Sequence, residues 1–148
     1  MGNCLNKKNT LIKKEPTINM LYIEDIELHY DLLSFVMAKH IPYTATILWT
    51  DNIVTAYTHI KNKNLDLLCV DRLLNKENLE LADNFVEQII SEKLIDPDKI
   101  IFISALQLND KCKELVEKGV HYVRKPIDVK IFKNIVTNIL EKKAYIDG

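Results

Sequence analysis

The chain has 148 residues, of which 47% are apolar and 28% charged, the balance of an ordinary globular domain. Its length indicates a single domain that can bury a core of its own. With 20 basic and 21 acidic side chains, the net charge is −1, which argues against a general nucleic-acid-binding surface. The longest apolar runs have the length of strands, so the sequence predicts no transmembrane helix.

Two compositional features bear on the cellular setting and on the start of the chain. The cysteines Cys4, Cys69 and Cys112 are odd in number and lack metal-type spacing, which argues against a zinc site and favours a reducing, cytoplasmic setting. Residues 1–17 are polar and lysine-rich and predict a flexible N-terminal extension. The start Met1–Cys4 suggests lipidation, but Asn6 stands where the acylation pattern has Ser or Thr.

From residue 18 onward, strand-like and helix-like segments alternate. Strands are predicted at 18–23, 45–49, 65–70, 99–104 and 120–124, and helices at 27–39, after Asp51, at 79–93, at 109–118 and after Asp128. Such alternation implies right-handed crossovers and a parallel sheet covered on both faces. The prediction is a flavodoxin-like (βα)5 three-layer sandwich in strand order 2-1-3-4-5, over a domain of residues 18–143 with a tail at 144–148.

Several helices carry apolar residues at helical spacing, and these predict their packed faces. The expected stripes are Leu28, Leu32, Phe35 and Val36 on the first helix, Cys112, Leu115 and Val116 on the fourth, and Ile131, Ile135, Val136 and Ile139 on the fifth. Asp51 and Asp128 are the expected N-caps of the second and fifth helices.

Chemically active side chains follow four of the five predicted strands. Glu24 and Asp25 follow the first strand, Asp71 the third and Lys125 the fifth, and Ser104 closes the fourth. The carboxyl ends of parallel strands share one edge of the sheet, so these groups are expected in one pocket. Three carboxylates, a hydroxyl and an ammonium suit a divalent cation and a phosphoryl group.

Each of these residues also has a structural interpretation. An acidic pair such as Glu24-Asp25 is common at the start of a helix, where it stabilises the helix dipole. In the structural interpretation, Asp71 is an ordinary turn residue, and Ser104 forms a hydrogen bond with its own backbone. Against the turn interpretation of Asp71, a carboxylate that ends an all-apolar strand is costly unless it is paired or bound to a metal.

Four segments in order resemble the receiver domain of response regulators, of the stand-alone chemotaxis type, in two-component signalling. They are Leu21–Glu27 with the acidic pair, Leu65–Asp71 with the acceptor strand, Ile101–Ala105 with a Ser-Ala step, and Gly119–Asp128 with an aromatic and Lys-Pro. The resemblance runs over residues 18–143.

This resemblance implies roles for particular residues. Asp71 is expected to accept a phosphoryl group from a sensor histidine kinase or a histidine phosphotransfer protein. Mg²⁺ is the expected cofactor, with Asp25 as a direct ligand, Glu24 as a ligand through water, and further ligands from Asp71 and the backbone carbonyl of Leu73. Lys125 and Ser104 are expected to contact the phosphoryl group.

The resemblance also implies a switch. Ser104 and the aromatic Tyr122 are expected to move together and to repack the face of the fourth helix, fifth strand and fifth helix, where a downstream protein binds. The chain is then a monomer or weak dimer and a signalling phosphoacceptor, not an enzyme, with at most intrinsic autophosphatase activity. As an alternative to the switch, the chain could relay its phosphate to a histidine phosphotransfer protein.

The segment after Asp71 departs from the receiver pattern. Asn75 stands where most receivers have proline, so the loop is expected to be longer or differently shaped. Leu73 and Leu106 occupy positions that tune loss of phosphate, and two apolar side chains predict slow loss. Arg72 is expected to be a solvent-facing loop charge or a contact to phosphate or partner.

Two other functional classes compete with a working receiver. The irregular loop after Asp71 also fits a pseudo-receiver that acts as a phosphorylation-independent interaction module. A haloacid-dehalogenase-like phosphatase is disfavoured, because Leu73 stands where those enzymes carry a second aspartate.

Overall fold

The computed structural model describes residues 14–75 and 77–147 and contains one parallel sheet covered by helices. Its strands are β1 (Lys14–Ile23), β2 (Tyr43–Thr50), β3 (Leu67–Asp71), β4 (Ile100–Ser104) and β5 (His121–Arg124). The helices are α1 (Glu27–His40), α2 (Ile53–Asn62), α3 (Leu81–Ser91), α4 (Asp110–Glu117) and α5 (Val129–Asp147), with a short 3-10 turn at Pro97–Lys99. The strand order β2-β1-β3-β4-β5 confirms the flavodoxin-like prediction.

The three central strands are buried on both faces, which explains their continuous apolar sequences. Leu21, Leu68 and Phe102 face one core, which the inner faces of α2, α3 and α4 close. Side chains one position along each strand face the opposite core, which α1 and α5 close through Leu33 and Phe132 among others. Successive side chains of a strand alternate between faces, so one sheet supplies both cores of the sandwich.

Both ends of the folded region extend beyond the expected boundaries. β1 begins at Lys14, which pairs with Tyr43 before a register shift that ends at Ile18. Residues 14–17 therefore belong to the sheet and not to an extension, because strand pairing uses backbone groups whatever the polarity of the side chains. The rest of the proposed extension, including the Met1–Cys4 start, lies outside the described residues.

The expected C-terminal tail is largely helical. α5 continues to Asp147, so residues 144–147 lie within it, and Gly148 falls outside the described residues. Neither proline nor glycine interrupts the sequence between Val129 and Asp147, so nothing in it breaks the helix earlier.

The N-caps agree with expectation for one helix and differ for another. Asn52, and not Asp51, caps α2, since its side-chain oxygen accepts from the N–H groups of Val54 at 2.8 Å and Thr55 at 3.1 Å. Asp128 caps α5 as expected by accepting from the N–H of Ile131 at 3.1 Å. Asparagine and aspartate are equally good caps, so sequence alone does not decide between neighbouring candidates.

The apolar stripe expected to pack α1 faces outward for most of its length. Leu28, Leu32 and Phe35 are 63%, 55% and 60% exposed, whereas Leu33 and Met37 are buried against the sheet. The expected stripes were also wrong at one position in each of two other helices, because Val116 of α4 and Ile131 of α5 are exposed. α1 carries apolar residues on two sides, and only the sheet's position decides which side is inside.

Among the residues described, no helix combines the length and apolar character needed to cross a membrane.

Candidate functional site

The pairing of β1 with β3 brings two carboxylates together at one edge of the sheet. Ile23 lies opposite Val70 in the parallel ladder, so Glu24 and Asp71 follow a matched pair of residues. The side chains of both are buried, Glu24 fully and Asp71 with 3% of its surface exposed. The sheet register therefore holds both carboxylates at the same level and shields them from water.

The ammonium group of Lys125 joins these carboxylates from the end of β5. Its Nζ lies 3.1 Å from Asp71 Oδ2 and 3.3 Å from Glu24 Oε2. A third acceptor, His29 Nδ1, lies 2.8 Å away. The Lys125–Pro126 peptide bond is cis. Lys125 thus lies at the centre of the cluster, as the strand-end pattern predicts.

Glu24 is the most constrained carboxylate of the cluster. Oε1 accepts from the Ile26 N–H at 3.1 Å, and Oε2 accepts from the hydroxyl of Tyr22 at 2.9 Å as well as from Lys125. Burial first, and then the neighbouring Asp71, together raise the pKa of Glu24 to about 7, while Lys125 acts in the opposite direction. When Glu24 and Asp71 are both ionised, they carry two negative charges against the single ammonium of Lys125.

Asp71 and Ser104 each bond a backbone amide two residues further along the chain. The Leu73 N–H donates to Asp71 Oδ1 at 2.9 Å, and the Leu106 N–H donates to Ser104 Oγ at 2.9 Å. Ser104 thus makes the backbone contact that its structural interpretation anticipates, and its own O–H donor is not used in that contact. Asp71 pairs with Ile103, the residue before Ser104, so the hydroxyl follows directly along the neighbouring strand.

The remaining expected metal ligands lie less centrally. Asp25 is exposed beside the buried Glu24. Leu73 is half-buried and contributes its N–H to Asp71. His29 is instead the third member of the compact group, because one ligand atom from each of Glu24, His29 and Asp71 lies within 4.8 Å of the others.

His29 was not among the residues selected from the sequence. It lies in the first turn of α1, where its backbone N–H donates to the carbonyl of Ile26 at 3.0 Å. The start of the helix therefore places the His29 side chain beside the strand ends. Its place five residues after Glu24, just beyond a strand end, was the available signal.

Arg72, directly after Asp71, is buried, so the expectation of a solvent-facing loop charge was wrong, while a contact to phosphate or partner stays a prediction. Only 2% of it is exposed, and it forms two hydrogen bonds of 2.9 Å to the buried carboxylate of Asp83 in α3. It also donates to the carbonyl of Gln107 at 3.1 Å and to the hydroxyl of Tyr122 at 3.4 Å.

Tyr122, the expected switch aromatic, is therefore held from two sides. Its hydroxyl donates to the carbonyl of Leu106, and the guanidinium of Arg72 lies 5.8 Å from its ring centre. The ring is partly buried on β5, and Leu106 belongs to the segment after Ser104. These contacts join the residue after Asp71 to the residue expected to move.

A groove of about 550 Å³ opens beside the carboxylate cluster. Its walls come from the outward face of α1, through Leu32, Phe35 and Val36, and from the residues that follow β5; His29 and Lys125 also line it. The groove therefore connects the exposed apolar face of α1 with the buried charges.

The donor set fits a hard divalent cation. Two buried carboxylates lie close together here, and the pKa of Glu24 is shifted upward, so a positive ion would stabilise them; Mg²⁺ prefers oxygen ligands. Glu24 and Asp71 supply such oxygens, and the exposed Asp25 directly follows Glu24 in the chain.

Comparisons with known proteins find solved structures of similar fold but no similar sequence. No protein-family model matches the chain, and no curated protein is detectably similar to it in sequence. The architecture is flavodoxin-like α/β, and the solved structures found to be similar to the chain are response-regulator receiver domains.

One such structure is the signal receiver domain of a putative Luxo repressor protein from Vibrio parahaemolyticus, with a TM-score of 0.71 and 22% identity over 89% of this chain and 96% of that one. A response regulator receiver protein from Pseudoalteromonas atlantica gives 0.71 and 10%, over 84% and 98%. A CheY-like receiver domain protein from Methanospirillum hungatei gives 0.66 and 16%, over 88% and 99%. The chain has the fold of response-regulator receiver domains.

Proposed function

We propose that this chain is a phosphoacceptor receiver in which Asp71 takes a phosphoryl group from a sensor histidine kinase or histidine phosphotransfer protein. The observation that carries the proposal is the contact of Lys125 with both Asp71 and Glu24 at the strand ends of a receiver fold. The proposal includes a cytoplasmic location, a monomer or weak dimer, and signalling without enzymatic turnover of a substrate.

In the proposed reaction, a carboxylate oxygen of Asp71 attacks the phosphorus of a phosphohistidine. The new O–P bond forms as the P–N bond breaks, and the electron pair leaves on the imidazole nitrogen, which takes up a proton. Lys125 and the Ser104 hydroxyl stabilise the added negative charge, and burial excludes water from the resulting acyl phosphate.

The cation site of this proposal consists of Glu24, Asp25, Asp71 and the Leu73 carbonyl. A bound Mg²⁺ supplies positive charge that neutralises the phosphoryl oxygens. The upward-shifted pKa of Glu24 supports this set, because burial and the neighbouring Asp71 make its ionised form costly and a bound cation would offset that cost.

The output of the proposed receiver is a change in the α4-β5-α5 face. Movement of Ser104 toward the phosphoryl group would pull on the following segment, whose Leu106 carbonyl holds Tyr122. Release of Tyr122 from that carbonyl and from Arg72 then repacks β5 against α4. This is a local charge event that biases a two-state element, and a downstream protein reads the result.

The groove beside the site supports a protein as phosphoryl donor. His29 and Lys125 line both the groove and the carboxylate cluster, so a donor that brings phosphohistidine to Asp71 covers the groove. The exposed Leu32 and Phe35 offer it an apolar surface. We therefore infer that the donor protein rests on the outward face of α1.

The decisive experiment is intact-mass analysis of the chain after incubation with acetyl phosphate and Mg²⁺. We expect a phosphoryl adduct that requires Mg²⁺ and is absent from Asp71→Ala. An Asp71→Asn variant, close in shape but not nucleophilic, is the matched control for folding.

The alternative is a pseudo-receiver that binds partners without phosphorylation. The departure from the receiver pattern at Asn75 is the observation in its favour, whereas the contacts of Lys125 with Glu24 and Asp71 argue against it. Absence of both an adduct and Mg²⁺ binding in a folded protein would establish this alternative instead.

A further inference from the structure

The ammonium of Lys125 has three protein acceptors, and one of them is not a carboxylate. His29 Nδ1 lies 2.8 Å from Nζ, closer than Asp71 Oδ2 at 3.1 Å and Glu24 Oε2 at 3.3 Å. An ammonium carries three N–H donors and no acceptor, so Nδ1, which also lies 3.4 Å from Glu24 Oε1, accepts from Lys125 in the tautomer that has its proton on Nε2. The three acceptors thus match the three donors of Lys125 in number.

The surroundings of this group allow the contact to fix the lysine. The Lys125 side chain is 19% exposed and that of His29 is 32% exposed, so both are largely shielded from solvent. His29 is anchored by the first turn of α1, and Lys125 N–H bonds to the carbonyl of Ser104 at 2.9 Å. Both ends of the contact therefore start from ordered backbone.

The three acceptors differ in whether they remain available to Lys125 during the proposed reaction, on which this inference rests. Asp71 loses its charge and one oxygen when it becomes an acyl phosphate. Glu24 belongs to the proposed cation site, so its oxygens are shared. His29 is the acceptor that neither the phosphoryl group nor the proposed cation site uses.

We propose that His29 is a positioning residue that holds Lys125 in place before and during phosphoryl transfer. With Nζ fixed through His29, Lys125 exchanges an oxygen of Asp71 for an oxygen of the incoming phosphoryl group without reorienting. A charged group that is already oriented lowers the barrier, because no reorganisation is needed when charge develops. His29 does not touch the phosphorus in this role and acts through the lysine alone.

Two substitutions separate this role from simple packing. His29→Gln keeps a side-chain acceptor, whereas His29→Leu has similar bulk and none. The matched control is His40→Leu, which changes the same residue type at the other end of α1. Rates of phosphorylation by acetyl phosphate at fixed Mg²⁺ are measured for all four proteins.

We expect His29→Leu to react about 10-fold more slowly, the ratio that corresponds to about 1.4 kcal/mol in the barrier. His29→Gln should recover most of this loss, and His40→Leu should match the wild type. Equal rates in wild type and His29→Leu would overturn the proposal.

A metal titration separates positioning from metal ligation. Trp49 is the only tryptophan of the chain, and its Nε1–H donates to the backbone carbonyl of Glu24 at 2.7 Å, so its fluorescence reports on the site. The proposal predicts that His29→Leu binds Mg²⁺ as tightly as the wild type does, and that it also binds Mn²⁺ as tightly as the wild type does. A loss of Mn²⁺ affinity that parallels the loss of rate would make His29 a ligand and overturn the positioning role.

A spectroscopic test works without any phosphorylation. The metal-free protein labelled with ¹⁵N-lysine should show an ammonium signal of Lys125 that is protected from exchange, assigned by its absence from Lys125→Met. We expect this signal to be lost in His29→Leu and kept in His29→Gln. If the wild type accepts no phosphate, the proposed function fails, while this signal still decides whether His29 holds Lys125.

Discussion

Arg72 and Asp83 form a buried bidentate ion pair between the end of β3 and α3. Arg72 Nε lies 2.9 Å from Asp83 Oδ1 and Nη2 lies 2.9 Å from Oδ2, with side chains 2% and 0% exposed. The guanidinium also bonds the carbonyl of Gln107 and the hydroxyl of Tyr122. The residue next to the proposed acceptor is thus tied to the residue proposed to switch.

Removing one partner of this pair should destabilise the protein strongly, because it leaves the other charge buried and unpaired. We expect Arg72→Met or Asp83→Leu to lower the free energy of unfolding by about 3 kcal/mol. The double variant should lose less than either single change, since no charge remains to be buried. Urea denaturation of the four proteins measures this as a double-mutant cycle.

An exposed ion pair of the same chain provides the control. Lys142 and Asp98 lie 3.2 Å apart with side chains 66% and 42% exposed. Lys142→Met should cost less than about 1 kcal/mol, as for other surface pairs. An Arg72→Met variant no less stable than Lys142→Met would contradict the structural importance of the buried pair.

Removing the hydroxyl of Tyr122 should weaken the hold on the proposed switch. Tyr122→Phe loses the bonds to the Leu106 carbonyl and Arg72, at a cost of about 1 kcal/mol. We expect amide resonances of α4 and β5 in the unmodified variant to move part of the way toward their positions in the beryllofluoride complex. Two-dimensional NMR spectra of both proteins, with and without beryllofluoride, make the comparison.

Tyr57→Phe controls for the loss of any tyrosine hydroxyl, since that group bonds an exposed Glu92 at 2.7 Å on another surface. Its α4 and β5 resonances should remain at their wild-type positions. Unchanged resonances in Tyr122→Phe would show that the hydroxyl does not restrain the switch.

The fold could be predicted because local sequence and burial agree along most of the chain. Runs such as Leu67–Val70 are apolar throughout and only suit a strand covered on both faces. The start of β1 and the inner face of α1 were not predictable in this way. Residues 14–17 lack an apolar pattern, and α1 has apolar residues on two sides, so tertiary packing decides both.

The residues of the site likewise differ in whether the sequence could predict them. Glu24, Asp71 and Lys125 could be selected because parallel strands bring their ends together, and their assembly depends only on topology. The pair Arg72–Asp83 could not be selected. An arginine in a loop and an aspartate in a helix usually face water, and only the packing of α3 beside β3 buries both.

Ionisation of Glu24 should make the metal-free protein less stable as pH rises. Its pKa is raised from 4.5 to about 7 in the folded state, first by burial and then by Asp71. The folded state therefore binds more protons than the unfolded state between these values, and stability present below pH 4.5 is lost as pH rises through 7. The loss is of the order of 3 kcal/mol, from about 1.4 kcal/mol per pH unit.

Urea midpoints in EDTA between pH 4.5 and pH 8 measure this loss against Glu24→Gln, which stays neutral at every pH. The wild type should lose stability relative to the variant as pH rises, and Mg²⁺ should restore it at pH 8. Parallel curves for the two proteins would mean that Glu24 ionises without cost.

A charge placed on the outward face of α1 should block a protein donor but not a small one. Phe35 is 60% exposed and lines the groove. We expect Phe35→Asp to slow transfer from a phosphotransfer protein by about 10-fold, since aromatic anchors dominate binding at interfaces. The rate with acetyl phosphate should be unchanged.

Val54→Asp is the matched control, because Val54 is 74% exposed on α2, on the other face of the sheet. It should alter neither rate. Equal transfer to Phe35→Asp and Val54→Asp would place the donor on another surface.

Loss of phosphate from Asp71 should be slow in the wild type and faster in Leu73→Asn. Leu73 is half-buried next to the acceptor, and its side chain cannot orient an attacking water by hydrogen bonding. A polar amide there should speed hydrolysis by about 10-fold, below the 100-fold or more that a well-placed catalytic base gives. Leu108→Asn, a change at a 40% exposed leucine after Ser104, is the control and should leave the half-life unchanged. Intact-mass analysis of the phosphoryl adduct at intervals after removal of acetyl phosphate measures all three rates. A wild-type adduct that is lost as fast as that of Leu73→Asn would refute the proposed role of the Leu73 side chain in slowing hydrolysis.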